Sequence, residues 1–165
     1  MKKYLPALVA GFAAGVMHVV PLAKSLTCCL IVPLAAFFAI VLDSKANKIT
    51  SDFELKRGAT LGLLTGLFAA FFGSFFDILV TFITHHNDII TTINELPKVI
   101  DSVPVSEELK DEIFKIMTNI ATSIEKKGFS EIYAMSIFFN NIVVNTIFGL
   151  IGGLVGTKIF NTKNS

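Results

Sequence analysis

Between residues 5 and 42 a single side chain, Lys24, carries a formal charge. One helix over those 38 residues would be ~57 Å long at about 1.5 Å per residue, whereas one crossing of a bilayer core needs roughly 30 Å. The tract therefore reads as a helical hairpin with arms at 5–20 and 26–42. Its turn falls at Pro21-Leu22-Ala23-Lys24-Ser25, where a proline and a charge mark the water interface. Two further tracts are as clean: 58–84, interrupted only by Asp77, and 132–157, with no charge at all. Each is long enough to cross with tilt. At 53% hydrophobic and 16% charged residues, the chain departs from the ~25% charge of soluble domains. The expected fold is all-α: a polytopic membrane protein with four transmembrane helices, about 5–20, 26–42, 58–84 and 132–157. It forms a single membrane domain over 1–165, with an amphipathic helical insertion at 85–131 between the third and fourth spans.

The hairpin has rivals. Its short arms, with Pro6, Pro21 and Pro33, also suit a re-entrant segment. Met1-Lys2-Lys3 before an apolar stretch resembles a signal peptide, but cleavage after Ala23 would set Pro21 where a small residue is wanted, and Lys24 follows. An uncleaved first span is the expectation. A lipid anchor on Cys28 would want an aliphatic residue where Ser25 stands. Adjacent Cys28 and Cys29 form neither a disulfide framework nor a CxxC metal knuckle, and read as small hydrophobes.

Basic residues set the orientation. Lys2 and Lys3, then Lys45, Lys48, Lys56 and Arg57, then Lys158 and Lys163 occupy three flanks that fall on one side. Residues 85–131 hold five Lys against nine Asp or Glu, a net of −4, and fall on the other. The expectation is a multi-pass protein of the cell (inner) membrane with both termini cytoplasmic. A formal net charge of +1 gives no basic face for nucleic acid.

Helices in lipid associate through small residues and a few polar contacts. Gly58, Gly62, Gly66, Ala70 and Ser74 recur every fourth residue in the third span; Ala7, Gly11 and Gly15 do so in the first. Asn141, Asn145, Gly149 and Gly153 do so in the fourth, with Gly152 and Gly156 offset. These stripes close a bundle or, if one points outward, drive self-association.

The insertion reads as two short amphipathic helices. Ile89, Ile93, Leu96, Ile100 and Val103 mark the first, with Pro97 restarting it; Leu109, Ile113, Met117, Ile120 and Ile124 mark the second. Ser106, Glu107 and Glu108 suit the second helix's start, and Lys126, Lys127 and Gly128 its end. Ser51-Asp52-Phe53-Glu54 fits a capping box leading into span three. The apolar faces must bury against the bundle, the bilayer or another copy. Their acidity disfavours anionic lipid, and a cap completing the chain's own core is expected.

Asp77 is the one acid inside a span, and placing Asp at a span's centre costs roughly 2.5–3.5 kcal/mol. Counting along the helices sets His18, Asp77, Asn140 and Asn141 at nearly one level, with Asn145 deeper. Together they are the candidate intramembrane polar site, either a protonatable relay built on Asp77 and His18 or a helix-end Asp77 bonded to Asn141 or water. His85-His86 with Asp88 is a weak metal motif, because adjacent helix residues point about 100° apart. No metal, cofactor or catalytic residue is expected, and no GxSxG, HExxH, Walker A or GxGxxG occurs. The leading reading is a non-enzymatic helix-packing or association module, its partners the bilayer and a second copy or another membrane protein. The alternative is a small proton- or cation-linked transporter or channel component using Asp77 and His18. A polar interior cavity favours the alternative; a dry seam removes its basis.

The stretch opening on Phe53 and reaching Gly66, the charged helical stretch from Asp88 to Gly128, and the glycine-rich stretch from Phe148 to Lys158 together resemble an uncharacterised (domain-of-unknown-function) family of small bacterial inner-membrane proteins. The resemblance runs through composition and spacing, and Cys28-Cys29 has no counterpart in it. It implies four helices and a bacterial inner membrane, and carries over no catalytic residues.

Overall fold

The computed structural model describes residues 2–49, 52–93, 95–102 and 104–164. Among them are eight α-helices and no strand: α1 (Leu5–Met17), α2 (Pro21–Leu26), α3 (Val32–Asn47), α4 (Leu55–Thr84), α5 (Asp88–Thr92), α6 (Leu96–Asp101), α7 (Glu107–Lys127) and α8 (Glu131–Asn164). Three segments, Cys29–Asn47, Leu55–Thr84 and Glu131–Lys163, are long and apolar enough to cross a membrane, and Leu5–Met17 is a shorter apolar helix. This is the layout of a small polytopic membrane protein. The chain divides into two compact units, Met1–Asp77 with Ile137–Ser165, and Ile78–Ser136.

The first unit buries small residues and exposes large ones. Ala7, Ala14, Ala36, Ala39, Ala69 and Ala70 are buried, while Phe38, Phe71, Phe75, Phe139, Ile147 and Val155 are exposed. Water would oppose such an arrangement; lipid accepts it, because close backbone approach rather than apolar burial then drives association. The small stripes are where the helices meet. A methyl added at Gly62 would strike Gly149 O and lie 2.7 Å from Gly153 Cα, and one at Gly66 would strike the Asn145 backbone. Gly58 faces Thr157, so α4 and α8 share a glycine seam. Gly11 and Gly15 of α1 lie against Thr65, Phe68 and Phe72 of α4, and Gly152 of α8 lies against Pro33 of α3.

The hairpin differs from its expected form. Pro21–Leu26 is helical, not a turn, because extended Val20 sets Pro21 at the helix start, where its fixed φ and missing N–H suit the position. The chain reverses instead at 18–20. A π turn, Thr27–Ile31, follows, closed by Val32 N–H donating to Thr27 O. Pro33 explains it, since proline has no N–H for the carbonyl of Cys29 and its ring clashes there. The second arm is therefore α2, the π turn and α3, not one regular helix over 26–42. It runs past Leu42 to Asn47 because its polar end is satisfied. Buried Asp43 meets Arg57 of α4, Nε to Oδ2 at 2.7 Å and Nη2 to Oδ1 at 2.9 Å, and Asn47 Nδ2 donates to Asp43 Oδ1 at 3.0 Å.

Ser51, which opens the expected capping box, lies outside the described residues. Helix α4 begins at Leu55, so Glu54 cannot be the third helical residue that the box needs. A different device holds this stretch. The Asn161 side chain accepts from Phe53 N–H at 2.8 Å and donates to Phe53 O at 3.1 Å, while the buried Phe53 ring meets Phe160 edge-on, centroids 5.8 Å apart.

In the second unit the insertion holds three helices rather than two. The first expected helix is interrupted between α5 and α6, with Pro97 in the first turn of α6, where a missing N–H costs nothing; Val103, the end of its stripe, lies outside the described residues. Asn87 caps α5 by accepting from Ile89 and Ile90 N–H at 3.1 and 3.2 Å. Helix α7 starts at its Ser106 cap and stops at Gly128, whose φ of 70° suits glycine. Of its apolar stripe Ile120 and Ile124 are buried, whereas Leu109 and Ile113 are exposed.

Candidate functional site

Helix α1 ends at Met17, leaving His18 at the reversal. Its imidazole lies flat against Gly73, where an added methyl would fall 2.7 Å from His18 Cδ2. Gly73 is thus a positioning residue: any side chain there would expel the ring from α4. Next to it, buried Ser74 accepts from Asn141 Nδ2 of α8 at 3.0 Å. One helical turn further along α8, Asn145 Nδ2 lies 3.2 Å from His18 Nε2. If the amide donates, His18 carries its proton on Nδ1. One turn further along α4, Asp77 Oδ1 accepts from Lys24 Nζ of α2 at 3.1 Å.

These groups surround one cavity of about 240 Å³, lined by His18, Lys24, Asp77, Ile137, Asn140, Asn141, Val144 and Asn145. All five residues of the expected polar site line it, and Lys24 joins them. Its floor is Asn145, fully buried, with His18, Asn141 and Asp77 nearly so; Asn140 is exposed. The Lys24 side chain retains 35% of its exposure against 11% for Asp77, so the cavity opens on the lysine side. Asn145 Oδ1 is buried without a hydrogen-bond partner among the described residues. A buried orphan acceptor costs about 1–3 kcal/mol, and a donor or cation entering the cavity would relieve it.

Asn141 bonds Ser74, and the carboxylate of Asp77 meets the ammonium of Lys24. An isolated buried carboxylate is costly, whereas a paired one is tolerated. Lys24 was expected to mark a turn at the water interface; on a helix, it reaches into the cavity instead. A signal for this existed, because Lys24 and Asp77 are each the sole charge of their tract and opposite in sign.

The packing glycines Gly11, Gly15, Gly58, Gly62, Gly66, Gly149 and Gly153 all lie at helix contacts within the chain. His85, at φ 53°, sets Nδ1 3.1 Å from Glu125 O, and among the described residues no three metal-ligating side chains converge. No protein family, curated protein or solved structure matches this chain.

Proposed function

We propose that the chain is a non-enzymatic four-span protein of a bacterial inner membrane, both termini cytoplasmic, and that its polar cavity serves a proton- or cation-linked transporter or channel component. One observation carries this reading: polar groups from α2, α4, α8 and the end of α1 converge on one cavity. Intramembrane ionisable groups facing a cavity are the usual elements of ion pathways. Lys24 acts as a tethered cation that neutralises Asp77 at rest. A proton on Asp77, or a small cation competing for Oδ1, releases the ammonium toward the mouth, and Asn145 Oδ1 offers the arriving species a further acceptor. Self-association through the small-residue stripes is the weaker reading, because those stripes are occupied by the chain's own helices.

The test is flux in proteoliposomes under an imposed proton gradient and, separately, under Na⁺ and K⁺ gradients. The parent is expected to dissipate at least one gradient, and Asp77→Asn to abolish that flux while circular dichroism and gel-filtration profile remain those of the parent. A parent inert under all three gradients, or an Asp77→Asn variant with unchanged flux, defeats the proposal.

A further inference from the structure

A second cavity, of about 330 Å³, lies where the starts of α1 and α4 come together, lined by Lys3, Tyr4, Glu54, Lys56, Arg57 and Thr60. Its volume falls at the lower end of small-ligand sites. Arg57 is neutralised by its ion pair with Asp43, so the cleft's charge rests with Lys3, Lys56 and Glu54. Lys3 and Lys56 are exposed, and neither has an ion pair among the described residues. Against them stands Glu54, leaving one net positive charge. The start of α4, a 30-residue helix, adds the partial positive charge of a helix N-terminus. Lys3 Nζ lies 5.8 Å from the Tyr4 ring centroid, an amphipathic pair suited to a headgroup layer.

We infer that this cleft binds a phosphate group that bears one negative charge and no cation of its own, matching its one net positive charge. An anionic phospholipid headgroup and a free phosphate share that chemistry. Leu5, Val9 and Phe12, exposed along α1 directly beyond Tyr4 and spaced four and three residues apart, give acyl chains an apolar path leading from the cleft. Glu54 sets selectivity, because its carboxylate opposes a dianion more than a monoanion.

Binding is measured on the full chain in a zwitterionic detergent, titrated with dihexanoyl phosphatidylglycerol, dihexanoyl phosphatidylcholine or inorganic phosphate. Phosphatidylglycerol is expected to bind and phosphatidylcholine not to. The double variant Lys3→Gln/Lys56→Gln weakens binding about 25-fold, from about fivefold per lysine near an anionic surface. Both lysines are exposed, so the variant folds; Arg57 is left intact because it holds Asp43. Glu54→Gln tightens binding, a change of opposite sign that general destabilisation cannot mimic. Lysine-dependent binding of inorganic phosphate as tight as that of phosphatidylglycerol assigns the site to the free anion. Phosphatidylcholine binding as tight as phosphatidylglycerol, or a double variant that binds like the parent, overturns the inference. Neither readout depends on flux through the other cavity.

Discussion

Gly62→Ala tests the seam that sets the separation of α4 and α8. The added methyl would fall 2.7 Å from Gly153 Cα and 2.9 Å from Gly153 N, and closer still to Gly149 O. Carbon atoms pack best at about 3.5–4.0 Å, so the helices must part by about 1 Å. All the obstructing atoms are backbone, and no rotamer change relieves them. Overpacking by one methylene costs about 1–3 kcal/mol, and a gap of 0.5–1 Å forfeits roughly a quarter to a half of the dispersion well at neighbouring contacts. Alanine returns up to about 1 kcal/mol of helix propensity. The expected net loss is about 2 kcal/mol, read as an earlier midpoint when the detergent-solubilised protein is unfolded with SDS. Gly156→Ala is the control. Its nearest neighbours are Phe37 Cδ2 at 3.1 Å, Ile40 Cδ1 at 3.2 Å and Phe37 Cα at 3.2 Å; the two side-chain ends can swing aside and the one backbone atom is farther off than those at Gly62, so with the propensity gain its loss should be clearly the smaller. Equal midpoints for Gly62→Ala and the parent, or equal losses in both variants, would refute the seam argument.

Arg57→Met leaves the fully buried Asp43 carboxylate without its guanidinium, and breaking a buried pair from one side costs about 3–5 kcal/mol; with Arg57 28% exposed, about 3 kcal/mol is expected in the same SDS titration, and Asp43→Leu added to it should recover most of the loss. Topology is read by cysteine accessibility in a background lacking Cys28 and Cys29: a membrane-impermeant maleimide on intact cells should label Ser106→Cys and spare Ala46→Cys, and the reverse pattern would invert the orientation.

What was legible in the sequence was what local composition controls. Charge-free tracts announce apolar helices, and four-residue spacing of glycine announces close crossings, because both follow from the helix's own geometry. The Ser106 and Gly128 caps of α7 are local in the same sense. Hidden were the choices that depend on residues far apart in the chain. Lys24 reads locally as an interface marker, and only the fold, bringing Asp77 within 3.1 Å across 53 positions, turns it into a cavity residue. The amide clamp of Asn161 on Phe53 spans 108 positions and has no motif. The π turn was half visible: Pro33 forecasts a disturbance, but not whether a kink or a wider turn resolves it.

The irregular backbone has a consequence for the proposed site. In hydrocarbon an unsatisfied peptide group costs several kcal/mol, so departures from regular helix survive where other groups satisfy them or where they line a polar cavity. Two such departures flank the segment bearing Lys24: the reversal at 18–20, which carries His18, and the π turn at Thr27–Ile31. At the reversal, His18, Val19 and Val20 N–H donate at 3.2–3.3 Å to the Gly15, Val16 and Met17 carbonyls, respectively, through shortened turns. Buried Thr27 donates its hydroxyl to Ala23 O at 2.8 Å, satisfying a carbonyl within α2. Short-range bonds, the His18–Asn145 contact and the Lys24–Asp77 ion pair help hold the segment 18–31, whereas close glycine contacts pack α1 and α8 against α4. Interrupted helices beside a polar site are a recurring device of transporters. Release of the Lys24–Asp77 pair would remove a contact between α2 and α4 without touching the glycine contacts that pack α1 and α8 against α4.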